Sequence, residues 1–494
     1  MMLIDSIDLS DARTLLETLK RLRTEVYEEG QSTFALWRPL ITRRDFLISA
    51  LNLAYYLALR RRDLRPVQAA LIPWGLSSLG RLESRVLPNL DAVIATLSAV
   101  VHDGTPALHP PLRSFFRGER LLRHHTEAVF GKPLVNRRVR IMVTLPTEAA
   151  EDYAIVRDLI ARGMDCARIN CAHDDERAWK LMIDFVHRAA KEVGRDCKIA
   201  MDLGGPKSRT TETISKGRIY KGDALLLTRG TPKPSEEFRF QTRCTLTEAL
   251  DQVRVGESVW IDDGKIGMKV EAAVPEGFLL RVTHARDKGE KLQNDKGVNF
   301  PDTELRLNPL TVKDLRDLTF IARHADMILY SFVQEAADID LLRRELSTRL
   351  KQRKANSIAI IAKVETGKAI RNLPELIVHG AGNQPFGVLI ARGDLAVEIG
   401  YERLVEMQEE ILWLSEAAHV PVIWATQVLE GLAKKGRPTR AEMTDAAMSE
   451  RAECVMLNKG PYVAEAVTIL DDVLTRMQSH QLKKTPQLRA LRSW

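Results

Sequence analysis

Two stretches constrain this chain more than any others: SIAIIAKVETGKAI at 357–370 and FGVLIARGDLAVEIG at 386–400. Each is a run of apolar, mostly β-branched residues that ends abruptly in charge, the first in Lys363 and Glu365, the second in Arg392 and Asp394. Such runs read as strands buried on both faces, as in a parallel sheet covered by helices. A strand that finishes in a lysine and a carboxylate places charge at its C-terminal edge, which is where chemistry sits in parallel β/α folds.

The same texture recurs from Arg138 onward. Strand candidates are RIMVTL (140–145), DCARIN (165–170), KIAMD (198–202), MILYSF (327–332), AIIAK (359–363), GVLIAR (387–392), PVIWAT (421–426) and CVML (454–457). Amphipathic helical stretches separate them. Eight strand-helix repeats are the count of a (β/α)8 TIM barrel, with a doubly wound open sheet as the alternative. One connection breaks the alternation: residues 207–299 hold short β runs punctuated by Gly222-Asp223, Asp263-Gly264 and Pro275-Glu276-Gly277. This predicts a small β-barrel domain inserted at the rim of the larger barrel, where it serves as a lid.

Residues 1–135 differ in kind. Helical spacing runs from Asp8 to Glu29 and from Arg43 to Arg62, and further helices over 66–101 are expected to break near Pro73 and Pro88. The organisation expected is an all-helical N-terminal domain (1–135), a barrel in two pieces (136–206 and 300–480) and the inserted lid. A length of 494 residues agrees with two or three domains.

Bulk properties narrow the function. The net charge of +7 arises from scattered arginines and clusters such as Arg60-Arg61-Arg62 and Arg137-Arg138, without an aromatic-interleaved basic patch. That argues against nucleic acid and for a small anionic substrate. The cysteines at 166, 171, 197, 244 and 454 have neither CxxC nor metal spacing and read as reduced thiols of a cytoplasmic protein. No signal peptide is expected from the opening MMLIDSIDLSDARTL. The longest apolar run, FLISALNLAYYLAL at 46–59, falls short of the ~20 residues of a membrane helix and reads as a buried core helix.

The strand ends carry a constellation. The second gives Arg168 and Asn170, followed by His173; the third gives Asp202 and then GGPKSR at 204–209; the fifth, sixth and seventh give Lys363 and Glu365, Arg392 and Asp394, and Thr426 and Gln427. Two carboxylates on adjacent strands, Glu365 and Asp394, suit a shared divalent cation such as Mg²⁺. Lys363 and Arg168 supply positive charge for a phosphoryl group in transfer. Other features read locally: Thr439 and Glu442 as a capping box, Arg392 as a structural residue, His173 as a rim residue and Cys171 as packing.

Taken together, ARINCAH (167–173), DLGGPKSRT (202–210), KGVNFP (296–301), IIAKVE (360–365), ARGDLAVEI (391–399), WATQVLE (424–430) and RPTRAE (437–442) resemble the motifs of the pyruvate kinase family, in the same order. The resemblance implies transfer of the phosphoryl group from phosphoenolpyruvate to ADP, giving pyruvate and ATP. It implies that Arg168 and Lys363 hold the phosphoryl group, and that Glu365 and Asp394 ligate Mg²⁺ or Mn²⁺. Gly393, Asp394 and Thr426 would bind the substrate carboxylate, with Thr426 also in the network that protonates the enolate. Arg209, Lys296 and His173 fall on the nucleotide side, and Asn170 and Asp202 match the monovalent-cation site.

Four departures stand out. The family's Asn-Phe-Ser-His reads Asn170-Cys171-Ala172-His173, and its Gly-Pro-Glu reads Gly205-Pro206-Lys207, so the Lys207 ammonium is expected to replace K⁺ and K⁺ is not expected to be required. After the eighth strand, Asn458-Lys459-Gly460-Pro461 replaces the family's Ser-Gly-Glu-Thr. The C-terminal regulatory domain is expected to be absent, with the N-terminal helices in its stead. These departures keep a second reading open: a phosphoenolpyruvate-binding phosphotransferase with another acceptor, or a catalytically weakened regulatory protein. Homo-oligomer formation is also left open.

Overall fold

A computed structural model describes residues 11–102 and 107–487. Eight parallel strands close into a barrel: β1 (Arg140–Thr144), β2 (Cys166–Asn170), β3 (Lys198–Asp202), β4 (Met327–Tyr330), β5 (Ala359–Val364), β6 (Phe386–Ala391), β7 (Val422–Ala425) and β8 (Cys454–Leu457). Closure is made by β1 on β8, with Arg140 opposite Cys454 and Val143 opposite Leu457. This excludes the open sheet. Every residue of β1, β4, β6, β7 and β8 is buried, as apolar runs between a packed interior and a helical shell require. The shell helices start on side-chain caps where the sequence supplies them: Asp152, Asp175, Thr311 with Asp314, and Thr439 with Glu442.

β3 and β4 are neighbours, Asp202 opposite Leu329, although the inserted β segment lies between them in sequence. That insert forms a seven-stranded curled sheet around its own core, which includes Leu225, Phe240, Val259, Met268 and Leu280. It leaves and rejoins the barrel side by side, through an antiparallel bridge between Arg209 and Gly297.

The N-terminal residues form helices at Ala12–Trp37, Leu47–Arg60, Arg65–Leu71, Val86–Val100 and Arg117–Phe130. Pro73 lies in a short 3-10 turn after the third of these, as a breaker would. Pro88 differs from expectation: it lies inside the first turn of Val86–Val100, where its missing N–H has no partner to lose, so it opens a helix instead of interrupting one. The apolar run at 46–59 is the buried helix Leu47–Arg60, and no helix among the described residues is long and apolar enough to cross a membrane. Single members of the basic clusters turn inward while others stay exposed: Arg137 is buried between Asp165 (2.9 Å) and Asp471 (2.7 Å), and Arg62 reaches Glu25 (3.1 Å), whereas Arg60 and Arg61 face solvent.

These helices sit on the bottom of the barrel, against the loops that enter its strands. The N–H groups of Thr42 and Arg43 both donate to the Gly382 carbonyl at 2.9 Å. His419, just before β7, is held down at about 4 by burial and is neutral near pH 7; its Nε2 donates to the Ser84 carbonyl (3.0 Å) while Nδ1 accepts from Ser49 (2.9 Å). Val129 and Phe130, at the end of the last of these helices, join the cluster of inward-facing strand residues that includes Met142, Ala200, Leu329, Ile361 and Met456. The helix therefore plugs the lower mouth of the barrel.

Asn52 ties the layers together. Its side-chain amide donates to the Glu83 (2.7 Å) and Ala417 (2.8 Å) carbonyls, and its carbonyl accepts from Val86 N–H (3.0 Å). Asn52→Leu strands these buried groups at a cost of about 1–3 kcal/mol for each that stays unpaired. A lowered melting temperature is expected by differential scanning calorimetry; an unchanged one would show that the junction repacks freely.

Candidate active site

The site is built on a rule of chain direction. In a parallel barrel every strand delivers its last residue to the same rim. Arg168 from β2 donates through Nε (2.8 Å) and Nη2 (2.5 Å) to one oxygen of Asp202 at the end of β3, and through Nη1 to Thr144 Oγ1 (2.7 Å) at the end of β1. Lys363 near the end of β5 reaches the other Asp202 oxygen (3.4 Å), Ser331 Oγ just past β4 (2.7 Å) and Glu365 Oε1 (3.0 Å). The second Glu365 oxygen accepts the Phe332 N–H at 2.6 Å. Lys207, in the segment leaving β3, meets Asp394 Oδ1 at 2.7 Å.

Burial makes these contacts electrostatically strong. Burial alone would raise the Asp202 carboxyl, but the charges of Lys363 and Arg168 outweigh it and hold it below the ordinary range. Burial works against the Lys363 ammonium, and Asp202 and Glu365 more than restore it, so its pKa lies above the usual value. Glu365 is pushed up: burial dominates over the pull of Lys363, and the charge of Asp394 adds to it. Two carboxylates that disfavour each other's charge in a buried site fit a divalent cation between them. Mg²⁺ takes one or two protein carboxylates and fills its remaining positions with water and substrate oxygens, a donor set that Glu365 and Asp394 could supply.

The seventh strand ends in strain. Thr426 and Gln427 both have left-handed backbones, with φ of 63° and 59°, uncommon for a β-branched residue. The turn is fixed by its neighbours: Gly393 N–H donates to Thr426 Oγ1 (3.0 Å), and Arg392 donates to the carbonyls of Ala425 (2.8 Å) and Thr426 (2.5 Å). Arg392 also pairs with Asp445 at 2.5 Å and stacks over Trp424, so its contacts are with the groups that shape the turn. The remaining candidates lie further out. Arg209 meets Asp295 (3.1 Å) and Lys296 meets Asp262 (3.3 Å) on the paired segments joining the insert to the barrel. His173 is exposed at the rim, and Asn170, opposite Asp202 in register, accepts the Ala172 N–H at 3.1 Å.

Structure thus brings Arg168, Asp202, Lys363 and Glu365 into one bonded cluster, sets Lys207 on Asp394 beside it, and joins Gly393 to Thr426. Sequence reasoning passed over Thr144 and Ser331. The signal was available, since both close candidate strands, the first and the fourth, as the chosen residues close theirs.

A closed (β/α)8 barrel with buried charges gathered at the ends of its strands and a β insert after its third strand defines an α/β barrel protein of the kind whose chemistry sits at that rim. Residues 136–467 match the family described as "Pyruvate kinase, barrel domain". Pyruvate kinase PKLR of Rattus norvegicus is 32% identical over 362 residues, 68% of this chain and 59% of the rat protein. The pyruvate kinase of Leishmania mexicana is 30% identical over 373 residues, covering 72% of this chain and 71% of the relative, and that of Mycobacterium tuberculosis is 30% identical over 360 residues. The chain belongs to the pyruvate kinase family.

Asp202 is the hub of the cluster, and its loss leaves Arg168 and Lys363 facing each other. Removing one partner of a buried pair costs roughly 3–5 kcal/mol. Asp202→Asn is therefore expected to lower the melting temperature clearly at pH 7. Because the folded-state pKa is lowered, the aspartate's contribution is present above the ordinary carboxylate range of about 3.9 and is lost only as pH falls through the lower folded value. Melting curves of parent and variant should converge only in strong acid; a constant gap down to acid pH would contradict the linkage.

Proposed function

We propose that the chain transfers the phosphoryl group of phosphoenolpyruvate to ADP, yielding pyruvate and ATP. The observation that carries this reading is the largely buried ammonium of Lys363, held by Asp202, Ser331 and Glu365, with Asp202 shared between it and Arg168. Arg168 and Lys363 would hold the phosphoryl oxygens, and Lys363 would stabilise charge as the bond from phosphorus to the enol oxygen breaks and a bond to an ADP oxygen forms. Phosphoryl transfer of this loose kind asks for positioning and charge neutralisation more than covalent help.

The substrate carboxylate would meet the backbone at Gly393 and Asp394 together with Thr426, a segment whose conformation is already fixed by the Gly393–Thr426 bond. Thr426 would also stand in the path of the proton that completes pyruvate. Glu365 and Asp394 would hold Mg²⁺ or Mn²⁺, which supplies neutralisation of phosphoryl-oxygen charge when bound. Arg209, Lys296 and His173 would face the ADP phosphates from the insert side, making the inserted segment (207–299) the lid over a barrel formed by 136–206 and 300–480, with 1–135 as a helical domain.

Lys207 supports the expectation that K⁺ is not required, since it brings a fixed positive charge to the rim. Its partner is Asp394, however, and not Asn170 or Asp202. That pair gives the second reading its footing: an ammonium engaging a metal-site carboxylate weakens the metal's hold and would suit a weakened enzyme or another acceptor.

A coupled pyruvate assay decides between them. With phosphoenolpyruvate, ADP and Mg²⁺ the parent is expected to turn over, and Lys363→Met is expected to lose about 10²–10³ in kcat or more while still folding, with a lowered melting temperature because Asp202 and Glu365 lose their counter-charge. Glu365→Ala or Asp394→Ala should sharply raise the Mg²⁺ needed. Activity that survives chelation would remove the metal assignment, and near-normal turnover in Lys363→Met would remove that lysine.

Potassium is tested by titrating KCl into buffer whose ionic strength is held by an organic cation. The parent's rate should stay flat, because a second cation near Lys207 is repelled by an energy of order 332/εr. Ala172→Ser with Lys207→Glu should acquire K⁺ dependence. Strong K⁺ activation of the parent would overturn the replacement.

A further inference from the structure

At the opposite end of the barrel from this site lies a cavity of about 250 Å³. Its wall combines the N-terminal helices, the entry ends of the first and eighth barrel strands and a hairpin at 481–486. Apolar surface comes from Leu122 and Leu482 among others, and the charged groups on the wall are unusually numerous for an enclosed space.

The acids on that wall are mostly spoken for. Glu119 pairs with Arg85 (3.0 Å), Glu453 with Lys483 (2.5 Å) and Glu83 with Lys484. The remaining carboxyl, Glu416, is pushed up to about 7 by burial against the opposing charge of Lys483, so it carries only partial charge near neutral pH. The cations are not matched in the same way. Arg81, Arg123 and Arg140 line the cavity, and none has an acidic partner among the described residues.

Arg140 is the telling case. It is 3% exposed, its Nη groups donate to the carbonyls of Arg138 (3.0 Å) and Gly131 (2.6 Å), and its Nε is buried with no hydrogen-bond partner among the described residues. The nearby Asp165 is already engaged by Arg137 (2.9 Å) and Arg195 (3.4 Å). The carboxylates that act on Arg140, Asp165 and Glu453, are thus shared with other cations, and a buried guanidinium neutralised only in part is costly and suits a site where a counter-ion arrives from outside. Arginine is also the side chain best shaped to grip carboxylate or phosphate oxygens.

We propose that this cavity binds a small organic anion, its carboxylate or phosphate group held by Arg140, Arg123 and Arg81 and its apolar body seated against Leu122 and Leu482. The site uses none of the strand-end residues at the other rim and stands whether or not the chain is a pyruvate-forming enzyme. Carboxylate and phosphate share the recognition chemistry, and the probes distinguish them.

Isothermal titration of the full chain with phenyl phosphate and with phthalate, beside inorganic phosphate and benzyl alcohol, tests it. At least one of the two organic anions should bind with a Kd of about 1 mM or tighter and outcompete both simpler probes in affinity. Arg81→Glu with Arg123→Glu should weaken that binding at least about tenfold. Both side chains are exposed, so the fold should survive, and the unliganded melting curve checks that it does. Absence of binding by either organic anion at about 10 mM, equal binding of benzyl alcohol or inorganic phosphate, or unchanged affinity in the doubly substituted protein would each overturn the proposal. If the double substitution impairs folding, Arg123→Gln alone replaces it under the same criteria.

Discussion

A buried ammonium cannot be left alone. Lys363 sits at a depth where its charge is expensive, and the barrel answers with Glu365 from the end of the same strand and Asp202 from the strand two places away. Each of those carboxylates then needs support of its own: Asp202 takes Arg168, and Glu365 takes the Phe332 N–H from a residue whose φ is 56°. Arg168 in turn anchors on Thr144. One buried charge thus fixes the ends of five consecutive strands, and the geometry a substrate would meet is the by-product of neutralising it.

The fold was largely legible because its signals are local. Fully buried parallel strands read as continuous apolar runs, and a closed barrel repeats that signal with helical spacers. The exception after the third strand stood out for the same reason: its turns are marked by Gly222, Gly264 and Gly277, all with positive φ. Charges at strand ends were legible too, since the position of a residue in its strand sets the rim on which it lies.

Pairings were not legible. Lys207 and Asp394 lie 187 residues apart, and no local pattern chooses Asp394 over Asn170 or Asp202 as the lysine's partner. Arg137 looked like part of a surface basic cluster and is instead wholly enclosed by two aspartates, because a sequence run of like charges says nothing about which member points inward. Ser331 went unread for a different reason: a serine is so often a turn residue that it carries little weight without its neighbour Lys363 in view.

The helix that plugs the lower mouth of the barrel has a consequence for how the molecule is made. Val129 and Phe130 belong to an interior whose last wall is β8, so the segment emerging early from the ribosome waits for one of the latest to be completed. Its apolar end must stay protected throughout synthesis, by its own helical neighbours or by a chaperone, since exposed hydrophobic surface in a half-made chain invites aggregation.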